Sequence, residues 1–317
     1  YITHGRFALL LPDKADKLEI KRKIERRFED EWNLSSSGSE KLKLDYRFIY
    51  LPEETIRDCV DEIIDVLKVE LYDSQYSDIS RMQSIDNSDI NNRRKEREII
   101  RALYDSVENG NLKAYYQPIY DSKNHKFVSA EALARIEDPK LGVVPPDKFI
   151  NLAEEDGTIL RLGKMIFREV CMFIKHNNLE KLGLKRISVN LSPIQCLHEN
   201  LVSEYIEIAD EYGVDFKYIN FEITETAMID LDDLKNMMEA FMSRGAFFSL
   251  DDYGTGYSNL VSITKLPLSI IKIDKSIVWA YYDGLDKALP YLIKMFLDDG
   301  FSVLCEGIEK KDMSISV

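Results

Sequence analysis

The sequence predicts an α/β fold with a largely parallel sheet, of the kind that closes into a barrel of alternating strands and helices. Two observations predict it. Seven short apolar runs alternate with helical stretches from residue 112 onward, which is typical of a parallel sheet. Charged or amide side chains lie within or just after six of these runs, as they do where the carboxyl ends of barrel strands carry chemistry.

The first 83 residues predict a separate small α+β lobe. Its expected elements are a strand at 7–11, a helix over 20–32, a strand over 42–50 and a helix over 56–71. The polar residues 84–92 predict a linker. The third segment, 93–317, opens with a charged helix whose buried side includes Leu103 and Val107 and which stops near Asn109.

The barrel elements follow in order along 93–317. Strands are expected at 112–119, 127–133, 187–191, 218–223, 246–250, 268–273 and 301–304. Helices between them are expected at 158–173, 201–209, 231–242 and 287–297.

The composition of the chain argues against three classes of protein: nucleic-acid-binding, zinc-binding and membrane-spanning proteins. The 317 residues have a net charge of −14, which argues against a partner that is a nucleic-acid polymer. The four cysteines lie far apart, so a zinc site is not expected. No apolar run is long enough to span a membrane. We therefore expect a cytoplasmic segment, which begins at Tyr1 as a piece of a longer protein whose anchor, if it has one, lies upstream.

Polar residues near the strand ends predict a site. They are Glu131, Asn190, Glu222, Asp251 with Asp252, Lys272 and Glu306. Buried strands avoid charges that are neither paired nor bound to metal. Any one of these residues alone could form an ordinary salt bridge at a loop start, but the set together favours a shared site.

The donor types favour hard cations. Five carboxylates and one amide offer oxygen ligands, which suit Mg²⁺ or Mn²⁺. The adjacent Asp251 and Asp252 would let one carboxylate bridge two ions about 3.5–4 Å apart, as in enzymes that hydrolyse phosphate esters. Lys272 would then contact phosphate or the attacking water, and Arg135 would bind phosphate. The glycines of the following GTG turn favour a loop packed tightly against a ligand or a neighbour.

Seven sequence words carry a resemblance to a known family. They are YQPI at 116–119, EAL at 131–133, VNLS at 189–192, FEITE at 221–225, DDYGTGYSNL at 251–260, KID at 272–274 and EGIE at 306–309. With these words, residues 93–317 resemble the EAL domain of bacterial cyclic di-GMP phosphodiesterases. The resemblance implies a modified eight-stranded α/β barrel with an antiparallel first strand, two Mg²⁺ or Mn²⁺ ions, and hydrolysis of cyclic di-GMP to linear pGpG.

The resemblance also implies residue roles. Metal ligands are expected at Glu131, Asn190, Glu222, Asp251 and Asp252. Lys272 is expected to hold the nucleophilic water, and Glu306 to act as a further metal-site carboxylate or as a base. Gln117 is expected to contact guanine and Arg135 phosphate. Glu225 is expected to brace the glycine loop, which in this family couples homodimer formation to activity.

The front lobe resembles the second half of a GGDEF domain, whose motif is degenerate here. THGRF at 3–7 replaces the family motif, which predicts that the lobe is not an active diguanylate cyclase. The barrel segment is shorter than the about 250 residues typical of the fold. Its eighth strand, with a glutamine near the metal site, is expected to be missing through truncation or disorder.

Two other functions stay open. The degenerate GGDEF motif and the missing strand are also compatible with a catalytically silent cyclic di-GMP receptor or interaction scaffold. An unrelated barrel hydrolase acting on another phosphate ester would explain the residues at the strand ends, but not the seven words.

Overall fold

The computed structural model describes residues 16–31, 49–50, 83–84, 87–227, 231–255, 260–309 and 313 of the 317-residue chain. The chain divides into two compact units, Tyr1–Arg97 and Glu98–Val317. Within the described residues, none of the helices combines the length and the apolar character that a membrane crossing requires.

The first unit contains part of the predicted lobe. A helix spans Lys17–Glu31, in agreement with the four-residue apolar repeat that predicts it. Short strands Ile49–Tyr50 and Gln83–Ser84 pair in parallel. The predicted strand at 7–11, the predicted helix over 56–71 and the THGRF segment lie outside the described residues.

The helix α1, Asn87–Asn109, begins earlier than the sequence predicted. Residues 87–92 of the predicted linker are helical, because asparagine, aspartate and serine are good first-turn residues that a composition argument assigns to a loop. The buried side chains Leu103 and Val107 and the end at Asn109 are as predicted.

The sheet of the second unit contains all seven strands that the sequence predicted. They are β1 Leu112–Asp121, β2 Lys126–Asp138, β4 Arg186–Leu191, β5 Ile219–Thr224, β6 Phe247–Tyr253, β7 Ile270–Ile273 and β8 Ser302–Cys305. A short strand that was not predicted, β3 Gly142–Val144, pairs with β2 in a hairpin.

The strand order is β8-β7-β6-β5-β4-β2-β1. Strand β1 is antiparallel to β2, and the other neighbours along this path are parallel. The antiparallel first strand is as the resemblance implied. Among the described residues no strand pairs with the outer edges of β1 and β8, so this part of the chain forms an open barrel.

Helices follow the strands as expected for an α/β fold. They are α2 Ile150–Glu155, α3 Ile159–His176, α4 Pro193–Cys196, α5 Leu201–Tyr212, α6 Leu231–Met242, α7 Leu260–Lys265, α8 Lys275–Tyr282 and α9 Leu289–Asp298. Aromatic side chains fill the layer between helices and sheet: the Phe221 ring centroid lies 4.6 Å from that of Phe241, and Phe167 stacks on Tyr205 at 4.4 Å. This apolar layer holds the strands in place through one face of the sheet. The polar residues at the strand ends lie on the other face.

Candidate metal centre

Lys272 on β7 lies at the centre of the strand-end cluster. Its Nζ lies 2.9 Å from Glu222 Oε2, 2.9 Å from Asp251 Oδ1, 3.0 Å from Glu306 Oε1 and 3.1 Å from Glu131 Oε2. These carboxylates come from β5, β6, the residue after β8, and β2. The parallel strands therefore bring residues that are up to 175 positions apart in the sequence into one cluster, as their strand-end positions predict.

The cluster holds more negative than positive charge. Four carboxylates surround one ammonium group, and Lys272 and Glu222 are each only 2% exposed. Burial and the neighbouring charge of Glu131 raise the pKa of Glu222 to about 8. Burial also raises the pKa of Glu306. Burial lowers the pKa of Lys272, but the four surrounding carboxylates outweigh it and raise that pKa. Crowded carboxylates bind protons unless a cation offsets their charge.

Two groups of three carboxylates have the spacing to hold metal ions. Glu131, Glu222 and Asp251 form one group, and Asp251, Asp252 and Glu306 form the other. Within each group the three ligand oxygens lie within 4.8 Å of one another. All of the donors are carboxylate oxygens, which suits Mg²⁺ or Mn²⁺. The residues present therefore fit divalent ions, and Asp251 belongs to both groups.

A backbone irregularity explains how two successive aspartates serve one site. Successive side chains of a regular strand point to opposite faces. The pairing of β6 with β7 shifts register between Leu250 and Tyr253, and Asp252 has a left-handed φ of 54°. Aspartate tolerates this conformation better than most residues. Bulges of this type re-aim side chains beside active sites, and here Asp252 joins the group that contains Asp251.

Asn190 lies beside the first group. Its Nδ2 donates a hydrogen bond of 2.8 Å to Glu131 Oε1. Strand β4, which carries Asn190, runs parallel to β2, and Ser188 pairs with Glu131 in register. The structure therefore brings Asn190 to the cluster, as predicted.

The glycine loop begins as the sequence predicted. The backbone N–H of Gly254 donates to Glu225 Oε1 at 3.0 Å. Gly254 has a φ of 102°, and a Cβ atom there would lie 2.2 Å from Ile277 Cδ1, so this position requires glycine. Residues 256–259 lie outside the described part. Glu225 therefore contacts the start of the loop, and its expected role in bracing the loop stays a prediction.

Gln117 and Arg135 lie on the same sheet face as Glu131. Gln117 is exposed and pairs with Glu131 across β1 and β2. The Arg135 guanidinium donates to Ala134 O at 2.8 Å and lies 5.9 Å from the centroid of the Tyr115 ring. Their roles as guanine and phosphate contacts stay predictions.

A layer of polar residues next to the cluster was not predicted from the sequence. Ser188, Asn220 and Ser249 are buried; Asn220 donates hydrogen bonds to both serines, and Ser249 donates one to Glu222. Each lies two residues before a strand-end residue that the sequence analysis did identify. The two-residue period of a strand was the signal that would have found them.

A profile of the EAL domain matches residues 100–314. The chain belongs to the EAL domain family. The oxygen sensor protein DosP of Escherichia coli is 33% identical over 224 residues, which cover 69% of this chain and 28% of DosP. The bifunctional diguanylate cyclase/cyclic di-GMP phosphodiesterase MucR of Pseudomonas aeruginosa is 30% identical over 69% of this chain and 32% of MucR. The chain thus spans about a third of these relatives' length.

Solved structures of EAL domains have the same fold. The PaMucR phosphodiesterase in complex with c-di-GMP superimposes with a TM-score of 0.63 at 28% identity, over 68% of this chain and 89% of that one. The FimX EAL domain of Pseudomonas aeruginosa bound to c-di-GMP has a TM-score of 0.61 at 17% identity, over 68% of this chain and 88% of that one. The α/β barrel predicted from the sequence is confirmed as the fold of this EAL domain.

Proposed function

We propose that this EAL domain hydrolyses cyclic di-GMP to linear pGpG with the help of two divalent ions. The observation that carries the proposal is the complete carboxylate set, in which two groups of three share Asp251 beside Lys272. Family membership supports it, as do relatives named as cyclic di-GMP phosphodiesterases, such as PdeR of Escherichia coli, 32% identical over 56% of this chain.

Mg²⁺ or Mn²⁺ would be held by Glu131, Asn190, Glu222, Asp251 and Asp252. Bound ions of this kind polarise phosphoryl oxygens and lower the pKa of water. Water would add to phosphorus while the P–O3′ bond breaks, which leaves the 5′-phosphate of pGpG and a protonated 3′-oxygen.

The chain's own residues would orient this reaction. The Lys272 ammonium group would donate a hydrogen bond to the attacking water. Glu306 would ligate metal or accept the proton of that water. Arg135 would pair with a substrate phosphate, since guanidinium and phosphate form charge-assisted hydrogen bonds. Gln117 would contact guanine, and Glu225 would hold the glycine loop in place through Gly254.

Product analysis tests the proposal. The chain is incubated with cyclic di-GMP and Mn²⁺, and the products are separated by chromatography. We expect pGpG from the unaltered chain and at least a hundredfold less from Glu131→Ala, in line with the about 10²–10³-fold cost of removing one group that stabilises the transition state. Glu137→Ala is the matched control, because Glu137 is exposed on the same strand and its side chain accepts a hydrogen bond from the Tyr115 hydroxyl rather than contacting the cluster.

The outcomes separate the candidate functions. Equal product from the unaltered chain and Glu131→Ala would contradict the proposal. Tight binding of cyclic di-GMP without product would favour a silent receptor. Turnover of other phosphodiesters but not of cyclic di-GMP would favour an unrelated hydrolase. Homodimer formation through the EAL domain and the lack of cyclase activity in the front lobe stay predictions, which sedimentation and a GTP turnover assay would test on the full-length protein.

A further inference from the structure

Three polar side chains lie in the sheet one layer below the carboxylate cluster. Ser188, Asn220 and Ser249 are 3%, 2% and 0% exposed and come from the neighbouring strands β4, β5 and β6. Asn220 lies two residues before Glu222, and Ser249 two residues before Asp251. Because side chains alternate along a strand, they face the same side of the sheet as these carboxylates.

The hydrogen bonds of this layer have a direction. Asn220 Nδ2 donates to Ser188 Oγ at 3.0 Å and to Ser249 Oγ at 2.8 Å. An amide nitrogen only donates, so Ser249 Oγ accepts from it and keeps its own hydrogen for another partner. That partner is Glu222 Oε1, 3.4 Å away. The chain of bonds therefore ends on a carboxylate of the cluster.

Burying these three polar side chains would be unfavourable for folding if they served only to fill the core. A buried hydroxyl or amide loses free energy unless it is hydrogen-bonded. The other face of the same strands is apolar, with Phe221 and Phe248 fully buried. Asn220 Oδ1 has no hydrogen-bond partner among the described residues, so the arrangement does not satisfy Asn220 itself. It satisfies one oxygen of Glu222 instead.

We infer that Ser249 is a positioning residue for Glu222 in divalent-ion binding. Ser249 fixes Oε1, which leaves Oε2 on the side of Lys272 and the other carboxylates, 2.9 Å from Lys272 Nζ. Asn220 in turn orients the Ser249 hydroxyl. Hydrogen-bond partners of metal ligands typically contribute about 10–100-fold to metal affinity or activity. The inference rests on the proposed metal site, but it does not require that the chain turns over cyclic di-GMP.

Calorimetry with Mn²⁺ alone tests the inference without substrate. We expect Ser249→Ala to raise the dissociation constant for Mn²⁺ about tenfold or more. Ser188→Ala is the matched control, because it removes an equally buried hydroxyl that bonds the same amide without reaching Glu222; we expect it to change the constant less than about twofold. Ser249→Thr keeps the hydroxyl and should restore most of the affinity. Thermal unfolding of metal-free protein shows whether each variant folds.

Steady-state kinetics at different Mn²⁺ concentrations distinguish a role of Ser249 in ion binding from a purely structural one. We expect Ser249→Ala to lower kcat at limiting Mn²⁺, with recovery at saturating Mn²⁺ and an unchanged KM for cyclic di-GMP. Equal Mn²⁺ affinity in Ser249→Ala and the unaltered chain, or equal losses in Ser249→Ala and Ser188→Ala, would overturn the inference, as would an unaltered chain that binds no Mn²⁺. An unaltered chain that binds Mn²⁺ but forms no pGpG contradicts only the proposed function, and calorimetry still decides the role of Ser249.

Discussion

The two faces of strand β5 are both buried, yet they have opposite chemistry. Ile219, Phe221 and Ile223 are fully buried on the face that packs against the helices. Asn220 and Glu222, each 2% exposed, alternate with them on the face toward the cluster. One face contributes apolar burial and the other carries hydrogen bonds and charge.

The two faces contribute separately to stability and to ion binding. Burial of the apolar face favours folding, since each large apolar side chain removed from water contributes about 1.5–3 kcal/mol. The charged and polar side chains of the other face must be paired or hydrogen-bonded with one another, because an unpaired buried charge is strongly unfavourable. Substitutions on the apolar face should therefore change the free energy of unfolding, whereas those on the polar face should change ion binding as well.

The largest expected effect comes from removing the central cation of the polar face. Lys272→Met leaves four carboxylates without their counter-ion, and we expect the metal-free protein to lose about 3–5 kcal/mol of unfolding free energy. Added Mn²⁺ should raise the thermal midpoint of this variant more than that of the unaltered chain, because the ions replace the lost charge. Differential scanning fluorimetry with EDTA or Mn²⁺ measures both effects.

The control for that variant is Lys235→Met. Lys235 is an exposed lysine whose Nζ lies 3.8 Å from Glu239 in the same helix, and exposed pairs contribute about 0–1 kcal/mol. If the two lysine variants had the same stability, or if Mn²⁺ raised both midpoints equally, Lys272 would not be the counter-ion of the cluster.

The next effect is a pH dependence at Glu222. Its folded-state pKa, raised by burial to about 8 from an ordinary 4.5, means that the unfolded chain releases this proton first as pH rises. Unfolding therefore becomes easier between about pH 4.5 and 8. Glu222→Gln, which does not titrate, should lose this decline. Urea unfolding in EDTA measures the free energy of unfolding of the unaltered chain and of Glu222→Gln at pH 5 and at pH 8. The same change in this free energy between the two pH values in both proteins would contradict the assignment of the raised pKa to Glu222.

The smallest effect belongs to the apolar face. Ile223→Val removes one methylene from a fully buried side chain, and we expect a loss of about 0.5–1.5 kcal/mol in urea unfolding. Its Mn²⁺ affinity should stay unchanged, because Ile223 points away from Glu222. A clear loss of Mn²⁺ affinity in this variant would mean that the two faces are not separable.

Much of the barrel could be predicted from the sequence because its strands are buried and bounded by polar residues. All seven predicted strands are present, and the strand-end residues meet around Lys272. The left-handed backbone conformation of Asp252 could not be predicted from the sequence, because the bulge that contains it depends on how β6 pairs with β7. Nor did the sequence predict the layer around Asn220, because isolated serines and asparagines also mark turns.

Element boundaries were less predictable. Residues 87–92 read as a linker because of their polar composition, yet they form the start of α1. The missed strand β3 has three residues, too few for an alternating pattern, and its pairing with β2 is a tertiary property. Neither the start of α1 nor the strand β3 can be predicted from local composition alone.

The sharing of Asp251 by both carboxylate groups has a consequence for titrations. If two ions bind as proposed, the first would occupy a ligand that the second also needs, and the two like charges would repel each other. The affinities of the two steps should therefore differ, with a half-loaded form populated over an interval of ion concentration. A single binding isotherm fitted to such data would average two constants.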